Sequence, residues 1–151
     1  MLLSKIGNLE YNKNINLNLE DVVENSLSLF HEAISLRGIK LNISTRECNL
    51  FIDNGLADIM VNNLLKNAVK HNIENGFISI NLTPTDFTLE NTGMAFQGDP
   101  GTLFERFKIG TSGNLGLGLA IVKQICEVNN YNISYNVKGN VHKIQISFAN
   151  N

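Results

Sequence analysis

The hydrophobic residues of this chain follow two patterns. In some segments they alternate with polar residues, as in strands with one buried face, and in others they recur every three or four residues, as in amphipathic helices. The helical spacing predicts three helices, from the N-cap Asn18 to Gly38, over 56–71 and over 114–129. Alternation predicts strands at 14–19, 39–45, 49–52, 77–83, 87–91, 131–137 and 143–148.

Turn residues separate these segments. Asn75-Gly76 closes the second helix, and the sequences PTD (84–86) and KGN (138–140) each connect the two strands of a predicted hairpin. Residues 93–113 are rich in glycine, contain a proline and lack a long periodic segment. A loop of this length inside a compact domain is usually functional or disordered.

Strands interleaved with three helices, without an internal repeat, predict one domain. The expected class is α/β, a two-layer sandwich with a mixed, mainly antiparallel sheet and three helices on one face. The 151 residues suffice for one core, and 43% hydrophobic with 17% charged residues is ordinary for a globular protein.

The composition also excludes some functions. A net charge of −2 without a basic cluster argues against binding of nucleic acid. No apolar run approaches the ~20 residues of a membrane span, and the first residues lack the features of a signal peptide. Cys48 and Cys126 are far apart, and we expect them to be buried thiols in a reducing cytoplasm.

The second helix carries amides beside its apolar face. At about 100° per residue, Asn63, Asn67 and Lys70 lie along one edge of the apolar stripe, and His71 lies within it. Amide oxygens suit Mg²⁺, which takes few protein ligands and binds substrate phosphates, and Lys70 would add a positive charge for those phosphates. A solvated helix edge explains the pattern equally well, because 24 of the 151 residues are Asn.

Two further segments point to a ligand. Gly116 and Gly118 lie where a loop becomes the third helix, and free backbone N–H groups at a helix start bind anions. Close packing of the helix on a neighbour would also use glycine. The sequence LENTGMAF (89–96) ends a strand with Asn91 and Gly93, and Asn91 could accept a hydrogen bond from the amino group of a base. The alternative there is a simple turn.

These segments resemble the motifs of sensor histidine kinases. NNLLKNAVKHN (62–72) resembles the N box, ENTGMAF (90–96) a variant of the first glycine box, LFERF (103–107) the phenylalanine box, and GNLGLGLAIVKQI (113–125) the second glycine box. All four occur in the order found in that family, and the resemblance covers about 14–148. It implies a Bergerat-type ATP-binding fold with a flexible lid, within the wider HATPase, or GHKL, superfamily.

The resemblance implies a role for each matching position. Asn67 corresponds to the Mg²⁺ ligand and, with Lys70, to the catalytic residues, whereas Phe104 and Phe107 correspond to lid residues that respond to nucleotide. The cofactors implied are ATP and Mg²⁺. The residues implied to bind them are Asn63, Asn67, Lys70, His71, Asn91, Gly93, Gly116, Leu117 and Gly118.

Two positions depart from the family pattern. Asn91 stands where the family usually has Asp, so its bond to adenine would lose charge assistance, at a cost of roughly 1 kcal/mol. Its carbonyl oxygen can still accept if its NH₂ group is turned away. Ala95 replaces the second glycine of its box and would narrow the adenine slot.

A third position bears on the reaction. Related ATPases on this fold, including type II topoisomerases, carry Glu at the position of Asn63 to activate water. An amide cannot accept a proton at neutral pH, so hydrolysis is disfavoured and phosphoryl transfer is expected. In the family the acceptor is a histidine on a separate dimerisation domain. His31 precedes Glu32 but lacks the rest of the phosphoacceptor motif, and His142 is expected at the surface near a turn.

The resulting expectation is the catalytic ATP-binding domain of a two-component sensor histidine kinase. Residues 1–13 would end an upstream dimerisation helix or linker, and 14–149 would form the catalytic domain. Its partners would be that dimerisation domain and, through it, a response regulator. The fragment would be a cytoplasmic monomer, and its parent a homodimer that could be anchored in the inner membrane. The alternative is a degenerate nucleotide-binding or partner-docking module.

Overall fold

The computed structural model describes residues 13–94 and 113–148, and the side chains of 13–94 and 118–148. Three helices and seven strands occur in this part of the chain. The helices are α1 (Leu19–Leu36), α2 (Asn54–Lys70) and α3 (Gly113–Val128). The strands are β1 (Asn14–Asn18), β2 (Lys40–Thr45), β3 (Asn49–Asp53), β4 (Phe77–Leu82), β5 (Asp86–Thr92), β6 (Asn132–Lys138) and β7 (Val141–Ser147).

Five strands form the main sheet, in the order β2-β4-β5-β7-β6. The β2–β4 pair is parallel and the other three pairs are antiparallel. The predicted α/β sandwich with a mixed, mainly antiparallel sheet is therefore confirmed. The remaining strands, β1 and β3, form a separate antiparallel ribbon instead of joining this sheet.

The core lies between the sheet and the helices. Alternate residues of β4 and β5 face the helices and are buried, and the apolar stripe of α2 meets them. The residues of that stripe are all at most 2% exposed, namely Ala57, Met60, Val61, Leu64 and Ala68. Asn62 of α2 is half-buried, and its Oδ1 accepts a hydrogen bond (2.6 Å) from Ser26 Oγ on α1.

Caps fix where the first two helices begin. Asn18 Oδ1 accepts from the backbone N–H of Glu20 (3.1 Å), as predicted for the N-cap of α1. Asp53 Oδ1 accepts from the N–H of Leu56 (3.1 Å), so α2 begins at Asn54, two residues earlier than the periodicity predicted. The carboxylate of Asp53 thereby connects the end of β3 to the start of α2.

Both cysteines are buried free thiols, as predicted. Burial is the main cause that raises the pKa of Cys48 to about 11 and that of Cys126 to about 12. Both side chains are therefore neutral parts of the core at physiological pH.

Candidate functional site

The amide edge of α2 faces the glycine-rich start of α3. A Cβ atom placed on Gly118 would lie 3.2 Å from Asn67 Nδ2 and 3.3 Å from Asn63 Oδ1. The two helices approach this closely because position 118 has no side chain. The structure thus brings together two motifs that lie about 50 residues apart in the sequence.

Asn63 and Asn67 differ in how their amides are used. The Nδ2 of Asn63 donates to the carbonyl oxygen of Ile59 (2.8 Å), one turn earlier on α2, which turns its Oδ1 toward Gly118. The Nδ2 of Asn67 is buried and has no hydrogen-bond partner within the described residues. A buried polar group without a partner costs about 1–3 kcal/mol, so its presence calls for an explanation outside packing.

This edge could hold a magnesium ion that brings most of its own ligands. Within 13–94 and 113–148, no three His, Cys, Asp or Glu side chains are grouped as metal ligands. The donors available are neutral amide oxygens, chiefly that of Asn67. Such a donor set fits Mg²⁺ bound through one protein oxygen, water and substrate phosphates, and it does not fit a carboxylate-rich Ca²⁺ site.

His71 follows α2 and is half-buried, with no partner for its buried Nε2 within the described residues. Burial is the main cause that lowers the pKa of His71, and the neighbouring Lys70 and His142 side chains lower it further. The imidazole is therefore neutral at physiological pH. The side chain of Lys70, one residue earlier, is exposed, so α2 ends with a solvated cation beside a neutral, partly buried ring.

The end of β5 lies next to His71. Asn91 is buried, and its Nδ2 donates to the carbonyl oxygen of Thr92 (2.9 Å). That bond turns its NH₂ group inward and leaves Oδ1 to accept, which is the orientation required to bind an amino group of a base. Gly93 follows, and a Cβ atom placed there would lie 3.1 Å from the main-chain oxygen of His71.

α3 begins within one residue of its predicted start at 114, but the glycine pair does not lie at the transition from loop to helix, as the sequence predicted. The helix begins at Gly113, so Gly116 and Gly118 lie inside it. The four N–H groups that lack intrahelical partners are those of the N-cap and the first three helical residues, so the last free amide of α3 is that of residue 115, and the amides of Gly116, Leu117 and Gly118 belong to the helical ladder. In this conformation Gly118 packs closely on Asn67, and the free amides of the helix are those of residues 113–115.

The predicted site residues therefore gather in two groups of contacts. Asn63 and Asn67 contact Gly118, while His71 contacts Gly93, with Asn91 two residues away. Phe104, Phe107 and Ala95 lie outside the described residues. His142 was missed, since it was assigned to the surface. It is half-buried against Gly93 and Met94, and its alternation with the buried Ile144 and Ile146 could have indicated this.

A family model covers most of this architecture. Residues 53–149, from the N-cap of α2 past the end of β7, match the family described as histidine kinase-, DNA gyrase B-, and HSP90-like ATPases. The chain belongs to this ATPase family. The membership predicted from the four motifs is thereby confirmed.

Relatives of this ATPase domain include two bacterial sensor proteins. The heme sensor protein HssS of Staphylococcus epidermidis is 31% identical over 147 residues, which cover 89% of this chain and 31% of the relative. The sensor protein QseC of Escherichia coli K12 is 23% identical over 142 residues, covering 89% of this chain and 32% of QseC. The chain thus spans about a third of the length of these relatives.

The fold is also that of a solved kinase domain. The catalytic domain of histidine kinase ThkA superimposes with a TM-score of 0.79 at 23% identity, over 89% of this chain and 94% of ThkA. Within the described ranges, no helix of the ATPase domain is both long and apolar enough to cross a membrane.

Proposed function

We propose that this chain is the catalytic ATP-binding domain of a two-component sensor histidine kinase. It would bind Mg-ATP and transfer the γ-phosphoryl group to a histidine on the dimerisation domain of the same protein. The observation that carries the proposal is the contact of Gly118 with Asn63 and Asn67, because it brings the N box and the second glycine box together. Both relatives above are sensor proteins, in agreement with this assignment.

Each residue of the site has a task that its chemistry allows. Asn67 Oδ1 would hold Mg²⁺, which supplies positive charge to the β- and γ-phosphates. Lys70, exposed at the end of α2, would contact the same phosphates from the solvent side. Asn91 would accept from the adenine amino group through Oδ1, and the free amides of residues 113–115 at the start of α3 would bind phosphate oxygens.

The acceptor is expected to be a histidine and not water. Asn63 donates its NH₂ to Ile59 and offers only a neutral amide oxygen, so it cannot take a proton from water. A neutral imidazole nitrogen on the partner domain would attack the γ-phosphorus and form an N–P bond, while the bond to the β–γ bridging oxygen breaks and ADP leaves. The imidazole proton passes to solvent.

The proposal places the domain in a larger protein. Residues 1–13 would connect it to the dimerisation domain, and 14–149 would form the catalytic domain. A response regulator would receive the phosphoryl group from the dimerisation domain. The domain would lie in the cytoplasm, as a monomer when separate and as part of a homodimer in its parent.

The test is phosphoryl transfer in trans. The chain is incubated with γ-labelled ATP and Mg²⁺, with and without the dimerisation domain of the longer protein, which is added as a separate protein. We expect label on the histidine of that domain and none on this chain, with little steady release of free phosphate. Label on the chain itself, or steady hydrolysis without transfer, would contradict the proposal. No observation favours the docking-module alternative.

A further inference from the structure

His142 lies on the covered face of β7. It alternates with Ile144 and Ile146, which are buried against the helices, and it pairs in register with Asn91 on β5. Directly opposed residues of antiparallel strands point to the same side of a sheet. His142 and Asn91 are therefore neighbours on the face that carries the candidate site.

Both ring nitrogens of His142 are hydrogen-bonded. Nε2 lies 2.6 Å from the main-chain oxygen of Met94, and Nδ1 lies 2.6 Å from the hydroxyl oxygen of Tyr135. A carbonyl oxygen can only accept, so Nε2 carries the hydrogen. In the neutral ring Nδ1 is then an acceptor, and Tyr135 donates its O–H to it.

Tyr135 is suited to that role. Burial raises the pKa of Tyr135 to about 12, which keeps its hydroxyl protonated at neutral pH. Its ring also meets the His142 ring edge-on, with centroids 5.8 Å apart. The tyrosine thus selects the tautomer of His142 in which Nε2 can donate to Met94.

His142 holds the backbone just after the end of β5, at Gly93 and Met94. The N–H of Gly93 donates to the carbonyl oxygen of Asn140 (2.8 Å), and the next residue, Met94, offers its carbonyl to His142. A Cβ atom on Gly93 would lie 3.1 Å from the His142 ring and 3.1 Å from the His71 oxygen. Gly93 is therefore fixed between α2 and β7, two residues after Asn91.

We propose that His142 is a positioning residue of the nucleotide site, which holds the Gly93–Met94 backbone so that Asn91 is correctly placed for the base. Tyr135 acts through His142 by fixing its tautomer. This inference rests on the proposed function, because the ligand positioned is the purine of ATP. His142 itself does not need to touch the nucleotide.

The test compares affinities for a fluorescent ATP analogue. His142→Ala leaves the Met94 carbonyl without its donor, and we expect affinity to fall about tenfold. His142→Gln places an amide NH₂ at the reach of Nε2, so it should stay within about threefold of the parent. Lys143→Gln, on the opposite face of the same strand, serves as the control and should bind like the parent.

A double-mutant comparison separates positioning from packing. Tyr135→Phe should weaken binding about threefold in the parent, because the imidazole hydrogen can then move to Nδ1. The same substitution should not change the affinity of His142→Gln, because the hydrogens of the glutamine amide stay on its nitrogen. A packing role would give the same loss in both backgrounds. The ¹⁵N shifts of the imidazole of His142 in the nucleotide-free protein should show the Nε2–H tautomer, and they should show a mixture in Tyr135→Phe.

The outcomes distinguish this inference from the proposed function. If the parent does not bind the analogue, the proposed function fails and the inference with it. His142→Ala is first shown to be folded by measuring its thermal transition. If the parent binds the analogue and this variant binds it equally well, only the role of His142 is overturned. An Nδ1–H tautomer in the parent would overturn it as well, without reference to nucleotide and even if His142→Ala does not fold.

Discussion

Two asparagines near the end of α2, Asn67 and Asn72, lie five residues apart and have opposite surroundings. Asn72 is buried, and its Nδ2 donates to the oxygens of Ala68 (3.0 Å) and Phe77 (3.0 Å). Its Oδ1 accepts from the N–H of Ile73 (2.8 Å) and from the hydroxyl of Thr92. The Nδ2 of Asn67 is equally removed from solvent and has no partner in the described part of the chain.

The difference separates a structural amide from one available to a ligand. Asn72 completes its hydrogen bonds inside the fold and links α2 to β4 and β5, and Arg37 reinforces this region by donating to the oxygens of Val69 and Asn72. Asn67 stays incomplete at the contact with Gly118. Under the proposed function, the amide of Asn72 is structural, and that of Asn67, open within the described residues, is available to a ligand.

The largest expected effect is on phosphoryl transfer by Asn67→Ala. Removing the oxygen that would hold Mg²⁺ loses several kcal/mol of charge stabilisation, so transfer to the dimerisation domain should fall on the order of 1,000-fold. The thermal transition should be little changed or slightly raised, because an unsatisfied buried group is removed. Initial rates of label transfer measure the effect, and a comparable loss of stability would make Asn67 structural.

Asn72→Ala is the matched opposite. It deletes two donors and two acceptors from a buried network, and we expect the free energy of unfolding to fall by about 3 kcal/mol. Denaturant titration monitored by circular dichroism measures it. Nucleotide affinity, determined well below the transition temperature, should change far less than in Asn67→Ala. An unchanged free energy of unfolding in Asn72→Ala would contradict the structural role assigned to Asn72.

Gly118→Ala should have an intermediate effect. The added methyl group would press on Asn67 Nδ2 and Asn63 Oδ1 at 3.2–3.3 Å, displacing both amides. We expect nucleotide affinity to fall about tenfold, while the helix itself gains up to about 1 kcal/mol because alanine replaces glycine. Unchanged affinity together with lower stability would show that the contact is only packing.

The smallest effect concerns pH. Since folding lowers the pKa of His71, the unfolded chain binds the proton more tightly, and stability is lost as the pH falls below the ordinary value of about 6.5 and levels off below the native pKa. His71→Gln removes this contribution. The change in melting temperature between about pH 7.5 and about pH 5 should therefore be smaller in the variant than in the parent. If the melting temperature changes equally with pH in His71→Gln and in the parent, protonation of His71 does not contribute to the pH dependence of stability.

Periodicity was a good guide wherever one physical pattern decided the structure. The alternation of β4 and β5 and the apolar stripe of α2 follow from burial of one face, so both could be predicted from spacing alone. The pairing of β1 with β3 in a separate ribbon depends on which edges meet in three dimensions, and short alternating segments do not specify this.

The contact between the two motifs was less predictable from the sequence than the motifs themselves. Asn63, Asn67 and Gly118 could be selected as candidate site residues because their types and motif order are distinctive, and the start of α3 was predicted to within one residue. The neighbour on which Gly118 packs could not be predicted, because spacing along the chain does not show which helices meet. His142 was missed because a hydrogen bond to a backbone carbonyl leaves no trace in residue spacing. Its alternation with Ile144 indicated burial and nothing more.

The most direct test of the account is the dependence of nucleotide affinity on magnesium. A fluorescent ATP analogue is titrated, with and without Mg²⁺, into the parent, Asn67→Ala and the control Asn72→Ala. We predict that Mg²⁺ tightens binding to the parent and to Asn72→Ala but not to Asn67→Ala. Equal affinity of the parent and Asn67→Ala, with or without the metal, would contradict the claim that the facing edges of α2 and α3 bind a magnesium-bound triphosphate.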